Sequence, residues 1–354
     1  MSEKILMTGN EAIGEAAIRA GCDFYAGYPI TPQNELIAYM AKRMREARRV
    51  FVQAESEISA VNMVLGAAAS GKRAMTSSSS PGISLKQEGI SYLAGAELPT
   101  VIINVMRGGP GLGNIAPAQS DYFQATKGGG HGDYHCIVLA PASVQESFDL
   151  MFTAFDLADT YRNPVLVLSD AILGQMMEPL TVHGPRSTVH GKEAKKWALT
   201  GCKGRKPNVI KSFYMYDGQL EAFNKTLQNK YQKIEQKEQR AEEFYCLDSE
   251  LVLVAYGSMA RIARSVVETL RKKGKKAGLV RPISLWPFPV AAFERLLKGK
   301  KKRRFFVIEM SYGQMVEDVR LVVNGRAPVE FYGRAGGGIP TEEEIIKKIL
   351  NPKS

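Results

Sequence analysis

Cysteine is scarce and poorly spaced for chemistry: Cys22, Cys136, Cys202 and Cys246 are scattered over 354 residues, with no pair at C-x-x-C spacing. That argues against a zinc ribbon, a ferredoxin-type cluster and a disulfide scaffold, and free thiols fit a reducing cytoplasm. Histidine is equally rare, at four residues. His131 and His135 stand four apart, but Gly128 to Gly132 disfavours a helix there, so they read as hydrogen-bonding loop residues and not as a metal pair. Long apolar runs are missing too. The longest, such as Thr100 to Val105, fall far short of the ~20 residues of a membrane helix, and the opening MSEKILMTGN lacks the apolar stretch of a secretory signal, so neither export nor spanning is expected. There is no G-x-x-x-x-G-K-[ST] loop and no strand-linked G-x-G-x-x-G, since Gly109-Pro-Gly-Leu-Gly-Asn114 breaks the pattern at its last glycine. Without a G-x-S-x-G elbow, a serine hydrolase is unsupported as well.

What is present is a chain with 45% apolar residues, long enough for two or three domains. Its formal charge of +11 is uneven: residues 1–182 balance to −5, 183–245 to +6 and 246–354 to +10. The excess concentrates in Arg271 to Lys276 and Lys298 to Arg304. Without interleaved aromatics or a reading motif, these runs do not point to nucleic acid; an acidic partner or a phosphorylated ligand fits them better.

Residues 1–182 alternate helical and strand-like patterns, which predicts a doubly wound α/β domain with a parallel sheet. Helices are expected at Asn10 to Ala20, Gln33 to Arg45, Glu57 to Ala69, Gly82 to Gly95 and from Ser143. Strands are expected in DFYAGY after Gly21, at Val50 to Gln53, Arg73 to Ser77, Thr100 to Val105, Cys136 to Leu139 and Val165 to Leu168. Residues 183–245 read as a polar connection, with one long charged helix from Gln219 to Glu243. Residues 246–354 read as a smaller α/β domain, with a Gly257-Ser258 turn and a proline-rich loop around Trp286.

Three segments fall at strand ends on one expected sheet edge: Gly27-Tyr-Pro-Ile-Thr-Pro32, Gln53-Ala-Glu-Ser-Glu57 and Arg107-Gly-Gly-Pro-Gly-Leu-Gly-Asn114. The two prolines of the first forbid a strand or helix interior, and loops at that edge carry sites in open α/β sheets. The strings GNEAIGEAAIRAGCDFYAGYPITP (9–32), QAESE (53–57), TSSSSPGISLKQEGISYLAGAELP (76–99) and RGGPGLGNIAPAQSDYFQATKGGGHGD (107–133) occur in order. On these residues the chain resembles the α chain of the multi-subunit 2-oxoacid:ferredoxin oxidoreductases, which are thiamine diphosphate enzymes. The likeness runs from about Leu6 to Leu180 and more weakly beyond. The SSSSPGIS and GLGNIAPAQSDYFQATKGGGHGD versions are most similar to the branched-chain type, which acts on 2-oxoisovalerate (3-methyl-2-oxobutanoate). A 2-oxoglutarate type and a non-catalytic scaffold subunit are the alternatives.

The resemblance implies a pyrimidine-binding first domain and a C-terminal domain of transketolase C-terminal type. Glu57 would then be the carboxyl that hydrogen-bonds the cofactor's pyrimidine ring, with Glu55 as its fallback. The plainer reading of Glu57 is an acid in the first turn of a helix capped by Ser56. Arg107 would grip the substrate carboxylate, or else form a surface salt bridge. Thr31 would touch the substrate near its reacting carbon, or bond its own backbone. Ser79, Ser80, Pro81 and Gly82 would line the aminopyrimidine at a helix start, which they also cap. Tyr28 is a wall or core residue, and Asn114 and Gln119 are pocket polars, Asn114 toward the substrate. No Gly-Asp-Gly string with a distant Asn is present, so the resemblance puts the diphosphate and its Mg2+ on a β chain. Iron–sulfur clusters are expected on the β chain and a ferredoxin-like δ chain, with a γ chain completing the complex. Coenzyme A and ferredoxin are the expected co-substrates, and α–α contacts are expected in a hetero-oligomer.

Overall fold

The computed structural model describes residues 4–184, 195–298 and 301–351. Residues 185–194 of the expected connection, and Gly299 and Lys300 of the second basic run, lie outside the described residues. The first unit runs β1 (Lys4–Thr8), α1 (Gly9–Arg19), β2 (Phe24–Gly27), α2 (Asn34–Glu46), β3 (Val50–Gln53), α3 (Glu57–Ala69), β4 (Ala74–Ser78), α4 (Ser80–Gly95) and β5 (Thr100–Met106). It continues with α5 (Tyr122–Thr126), β6 (Ile137–Leu139), α6 (Val144–Tyr161), β7 (Pro164–Asp170), α7 (Ala171–Gln175) and β8 (Met177–Thr181). Then come α8 (Gln219–Lys237), β9 (Ala241–Phe244), β10 (Leu251–Val254), α9 (Gly257–Lys272), β11 (Ala277–Pro282) and β12 (Ser284–Trp286). The chain closes with α10 (Val290–Leu297), β13 (Arg304–Glu309), α11 (Met315–Val323), β14 (Val329–Gly333) and α12 (Glu342–Leu350).

The large sheet has the order β12-β6-β7-β5-β4-β2-β3. Its strands are parallel except β12, which pairs antiparallel with β6. Every residue of β5 and β7 is buried, as expected of central strands covered by helices on both faces. The second sheet has the order β14-β13-β10-β11-β9, parallel except for β9. An antiparallel ribbon of β1 and β8 stands apart.

Three sequence expectations need correction. The charged helix expected to Glu243 stops at Lys237, because residues 241–244 add an edge strand to β11. There Glu242 pairs with Arg281 at 2.8 Å and with Arg264, so tertiary pairing outweighs the helix preference of the string. The loop around Trp286 holds β12, which extends the first sheet and not the second. Gly257 and Ser258 open α9 in place of a free turn, and Ser258 hydroxyl donates to the buried Asp170 carboxylate at 2.7 Å. The second unit therefore lends an edge strand to the first sheet, and the two share buried polar contacts, including Tyr122 hydroxyl to Asp318 at 2.6 Å.

Candidate active site

Strands β5, β4, β2 and β3 are neighbours, so the three loops picked out by sequence all leave the same carboxyl edge. Glu57 is the first residue of α3, whose N-terminus is capped by Ser56 hydroxyl accepting the Ser59 N–H at 3.2 Å. It is both a first-turn acid and a buried one, 6% exposed, and no described residue donates a hydrogen bond to its carboxylate. Glu55 is exposed and bonded to the Ser59 hydroxyl, which lowers its pKa. The second acid of the string, and not the first, is therefore the one inside.

Helix α4 begins beside it. Serines on β4 and at its exit, Ser77, Ser78 and Ser79, are wholly buried, and Pro81 fits the first turn, where no N–H partner is lost. Gly82 is required by close approach: a Cβ there would lie 2.0 Å from the Ser78 hydroxyl and 2.6 Å from Glu57 Oε1. The Ser78 and Ser79 hydroxyls are buried without partners. Ser79 occupies the N-cap position yet makes no side-chain cap bond. A run of small residues capping a helix would be expected to use that hydroxyl; here it is held free.

Ser80 joins this wall to the arginine loop. Its hydroxyl donates to the Asp121 carboxylate at 2.6 Å and accepts the Arg107 N–H at 3.0 Å. Asn104 accepts the Ser80 N–H at 3.2 Å and donates to Asp121 at 2.9 Å. Burial raises the Asp121 carboxyl pKa, against the lowering effect of the Ser80 and Asn104 hydrogen bonds. Sequence reading missed Asn104 and Asp121: one sits within an apolar strand and the other within a polar loop.

Arg107 is buried and makes no ion pair among the described residues, so it is not a surface salt bridge. Its guanidinium donates to the Thr31 carbonyl and the Leu112 carbonyl, each at 3.0 Å, while its Nε–H is buried without a partner. It thus clasps the proline loop to the glycine loop. The Thr31 hydroxyl accepts from Asn34 at 3.2 Å and not from its own backbone. Tyr28 is 39% exposed and so is not core. Asn114 accepts the Ala116 N–H at 3.0 Å and donates to the Gly336 carbonyl at 3.0 Å, tying the glycine loop to the second unit. Gln119 is wholly buried between the two units, bonded to Met310 and to the Tyr256 carbonyl. It bridges the units and does not line the pocket expected from sequence.

Glu57, Gly82, Ser80, Arg107 and Thr31 therefore form one connected wall, with an unbonded carboxylate at one end and a cation without a counter-ion at the other. Orphaned hydroxyls lie beside the carboxylate. Such a wall can hydrogen-bond a planar heterocycle and hold an anionic substrate. Among the described residues no group of three or more His, Cys, Asp or Glu could hold a metal ion. His135 stacks on Trp286 at 4.5 Å, and burial lowers its pKa. Cys22, Cys136 and Cys246 are buried thiols whose pKa burial raises to about 12. No helix among the described residues is long and apolar enough to cross a membrane.

The thiamine diphosphate-binding domain of pyruvate flavodoxin/ferredoxin oxidoreductases matches residues 15–243. Core domain II of pyruvate:ferredoxin oxidoreductase matches residues 249–345. A ketoisovalerate oxidoreductase subunit VorB of Methanothermobacter thermautotrophicus is 52% identical over 97% of this chain and 96% of its own length. A 2-oxoglutarate synthase subunit KorA of Archaeoglobus fulgidus is 40% identical over 94% of this chain and 95% of its own. A solved 2-oxoglutarate:ferredoxin oxidoreductase of Magnetococcus marinus, with 2-oxoglutarate, coenzyme A and succinyl-CoA bound, superposes with a TM-score of 0.85 at 28% identity. It covers 99% of this chain, which spans 65% of that protein's length. A split-gene transketolase shares the fold alone, at a TM-score of 0.59 and 13% identity. The chain belongs to the 2-oxoacid:ferredoxin oxidoreductase family and is a subunit of that thiamine diphosphate-dependent type of oxidoreductase.

Proposed function

We propose that this chain presents Glu57 to the pyrimidine of thiamine diphosphate in an enzyme that oxidatively decarboxylates a branched-chain 2-oxoacid, 2-oxoisovalerate, yielding acyl-CoA, carbon dioxide and reduced ferredoxin. The observation that carries the reading is the buried Glu57 carboxylate, which has no donor among the described residues and stands against Gly82 beside the orphaned Ser78 and Ser79 hydroxyls. When bound, the cofactor supplies a carbon nucleophile that attacks the substrate carbonyl. Glu57 would hydrogen-bond the ring and hold or pass on a proton there, and the open hydroxyls of Ser78 and Ser79 would serve its polar edge. Arg107 holds the substrate carboxylate until it leaves, with the Thr31 hydroxyl close to the reacting carbon. Asn114 closes the substrate side of the glycine loop.

Branched-chain specificity is supported by two kinds of observation. Ketoisovalerate relatives are 52% and 51% identical, whereas the 2-oxoglutarate relatives lie between 34% and 40%. Arg107 is also the only basic residue on the three site loops. It matches one carboxylate and leaves the second carboxylate of 2-oxoglutarate without a partner there, while exposed Leu112 and Ile115 offer apolar surface.

The site is completed by other chains in this reading. In the same reading Mg2+ and the diphosphate are held by a β chain, and iron–sulfur clusters by β and δ chains. Helix α3 exposes Ile58 and Met63, and α4 exposes Leu85 and Tyr92. Exposed apolar side chains around a polar site fit a face covered by a partner. The test is co-expression with candidate β, γ and δ chains, followed by a 2-oxoacid panel with a viologen dye as acceptor. Turnover highest on 2-oxoisovalerate supports the reading; turnover highest on 2-oxoglutarate, or none on any 2-oxoacid, refutes it.

A further inference from the structure

A lysine within SLKQEG reads as a surface residue of a helix, yet Lys86 has no solvent exposure and is the only buried lysine among the described residues. Its ammonium lies where α3, α4 and β4 meet. It donates to the Glu57 carbonyl at 3.2 Å and to the Thr76 hydroxyl at 3.1 Å. No carboxylate among the described residues pairs with it. A buried ammonium bonded only to neutral oxygens is an expensive way to fill core volume, because Met would do so without the desolvation cost. Among the described residues the charge that acts on it is that of Glu57; β4 meets it with the neutral Thr76.

We propose that Lys86 is a positioning residue for Glu57, its charged ammonium pinning the first peptide of α3 so that the carboxylate is held where the cofactor ring is to bind. This rests on the reading of Glu57 given above. Burial lowers the Lys86 pKa to about 8, against the raising effect of Glu57, so the cation is present at neutral pH and fades above it. A role in packing alone would not depend on charge, and a role in hydrogen bonding alone would survive any neutral donor.

The experiment compares Lys86→Met, Lys86→Gln and Glu57→Gln in the assembled complex. Calorimetry reads thiamine diphosphate affinity and proton uptake against pH, and turnover is read over the same range. Both Lys86 variants should assemble yet bind the cofactor at least about threefold more weakly at neutral pH, a difference that narrows above about pH 8, where the wild-type ammonium is itself lost. Normal profiles in Lys86→Gln would reduce the role to hydrogen bonding and overturn the proposal. A loss of turnover equal at all pH values, or failure of both variants to assemble, would make the role structural and overturn it too. Glu57→Gln separates the two claims. If it keeps full turnover, the reading of Glu57 is wrong; if it is inactive while the Lys86 variants keep normal profiles, only the Lys86 proposal falls.

Discussion

The carboxyl edges of the two parallel sheets are wired alike, but their polar groups are treated in opposite ways. In the small sheet, Glu309 at the end of β13 is wholly buried and its carboxylate is saturated. It accepts the Gln314, Met315 and Val316 N–H groups at 3.0–3.3 Å and the Ser311 hydroxyl at 2.9 Å. In the large sheet Glu57 has no such donors among the described residues, and Ser78, Ser79 and the Arg107 Nε lie buried without partners among them. Burial alone thus does not distinguish a site. A buried carboxylate that its own chain satisfies is structural, whereas one left open beside other open groups is waiting for a ligand.

The largest expected effect breaks this contrast at its centre. Glu57→Gln should lower turnover by about 10²- to 10⁴-fold, the usual span for removing a positioned acid–base group. The complex and its melting temperature should stay near wild type, because no protein bond to the carboxylate is lost. Size-exclusion chromatography beside dye-linked kinetics reads both; a large fall in stability would show that the carboxylate is structural after all. Gly82→Ala follows. Its methyl would enter the space of the Ser78 hydroxyl and of Glu57 Oε1, so thiamine diphosphate affinity should drop at least about tenfold, while far-ultraviolet dichroism stays unchanged.

Arg107→Met should raise KM for the 2-oxoacid roughly 10- to 100-fold, in line with the ~1.5–3 kcal/mol of a charge-assisted hydrogen bond. An effect confined to kcat would point instead to the loss of its clasp between the Thr31 and Leu112 carbonyls. Glu309→Gln sharpens the comparison from the other side. Its amide would turn donors toward backbone N–H groups, costing about 1–3 kcal/mol. Thermal melting should register that cost, and cofactor affinity should not move.

These contrasts explain what the chain discloses before folding. The site loops were legible because proline and glycine punctuate strand ends, so Thr31, Glu57 and Arg107 could be placed on one edge from pattern alone. Lys86 was not, because a lysine in a helix shows its spacing but not its burial. Gln119 was misplaced for a related reason: a glutamine in a polar loop looks like a pocket group until a second domain closes over it. Strand β9 hid within helix-forming residues, since only β11 and Arg281 make it extended.

The smallest expected effect concerns the other edge of the small sheet. The two basic runs, separate in sequence, converge on a crevice of about 940 Å³ floored by Leu251, Leu270 and Ile349. Its cations differ in their freedom. Arg304 and Arg326 pair with Glu330 and Glu294, whereas Arg303 donates to the Leu296 and Leu247 carbonyls and Lys301 to the latter. Lys275 and Lys302 face the same space without a carboxylate partner among the described residues. Changing Lys275 and Lys302 to Gln should therefore weaken association with an acidic chain, or raise the coenzyme A requirement, by no more than ~1 kcal/mol per charge. Because such charges are screened over about 8 Å at physiological salt, the difference from wild type should be present in dilute buffer and gone by about 1 M salt. Titrating partner chains and coenzyme A at the two ionic strengths measures it. Equal affinities in dilute buffer would make this crevice a solvated face, the counterpart of Glu309: charged, but with nothing left open for a ligand.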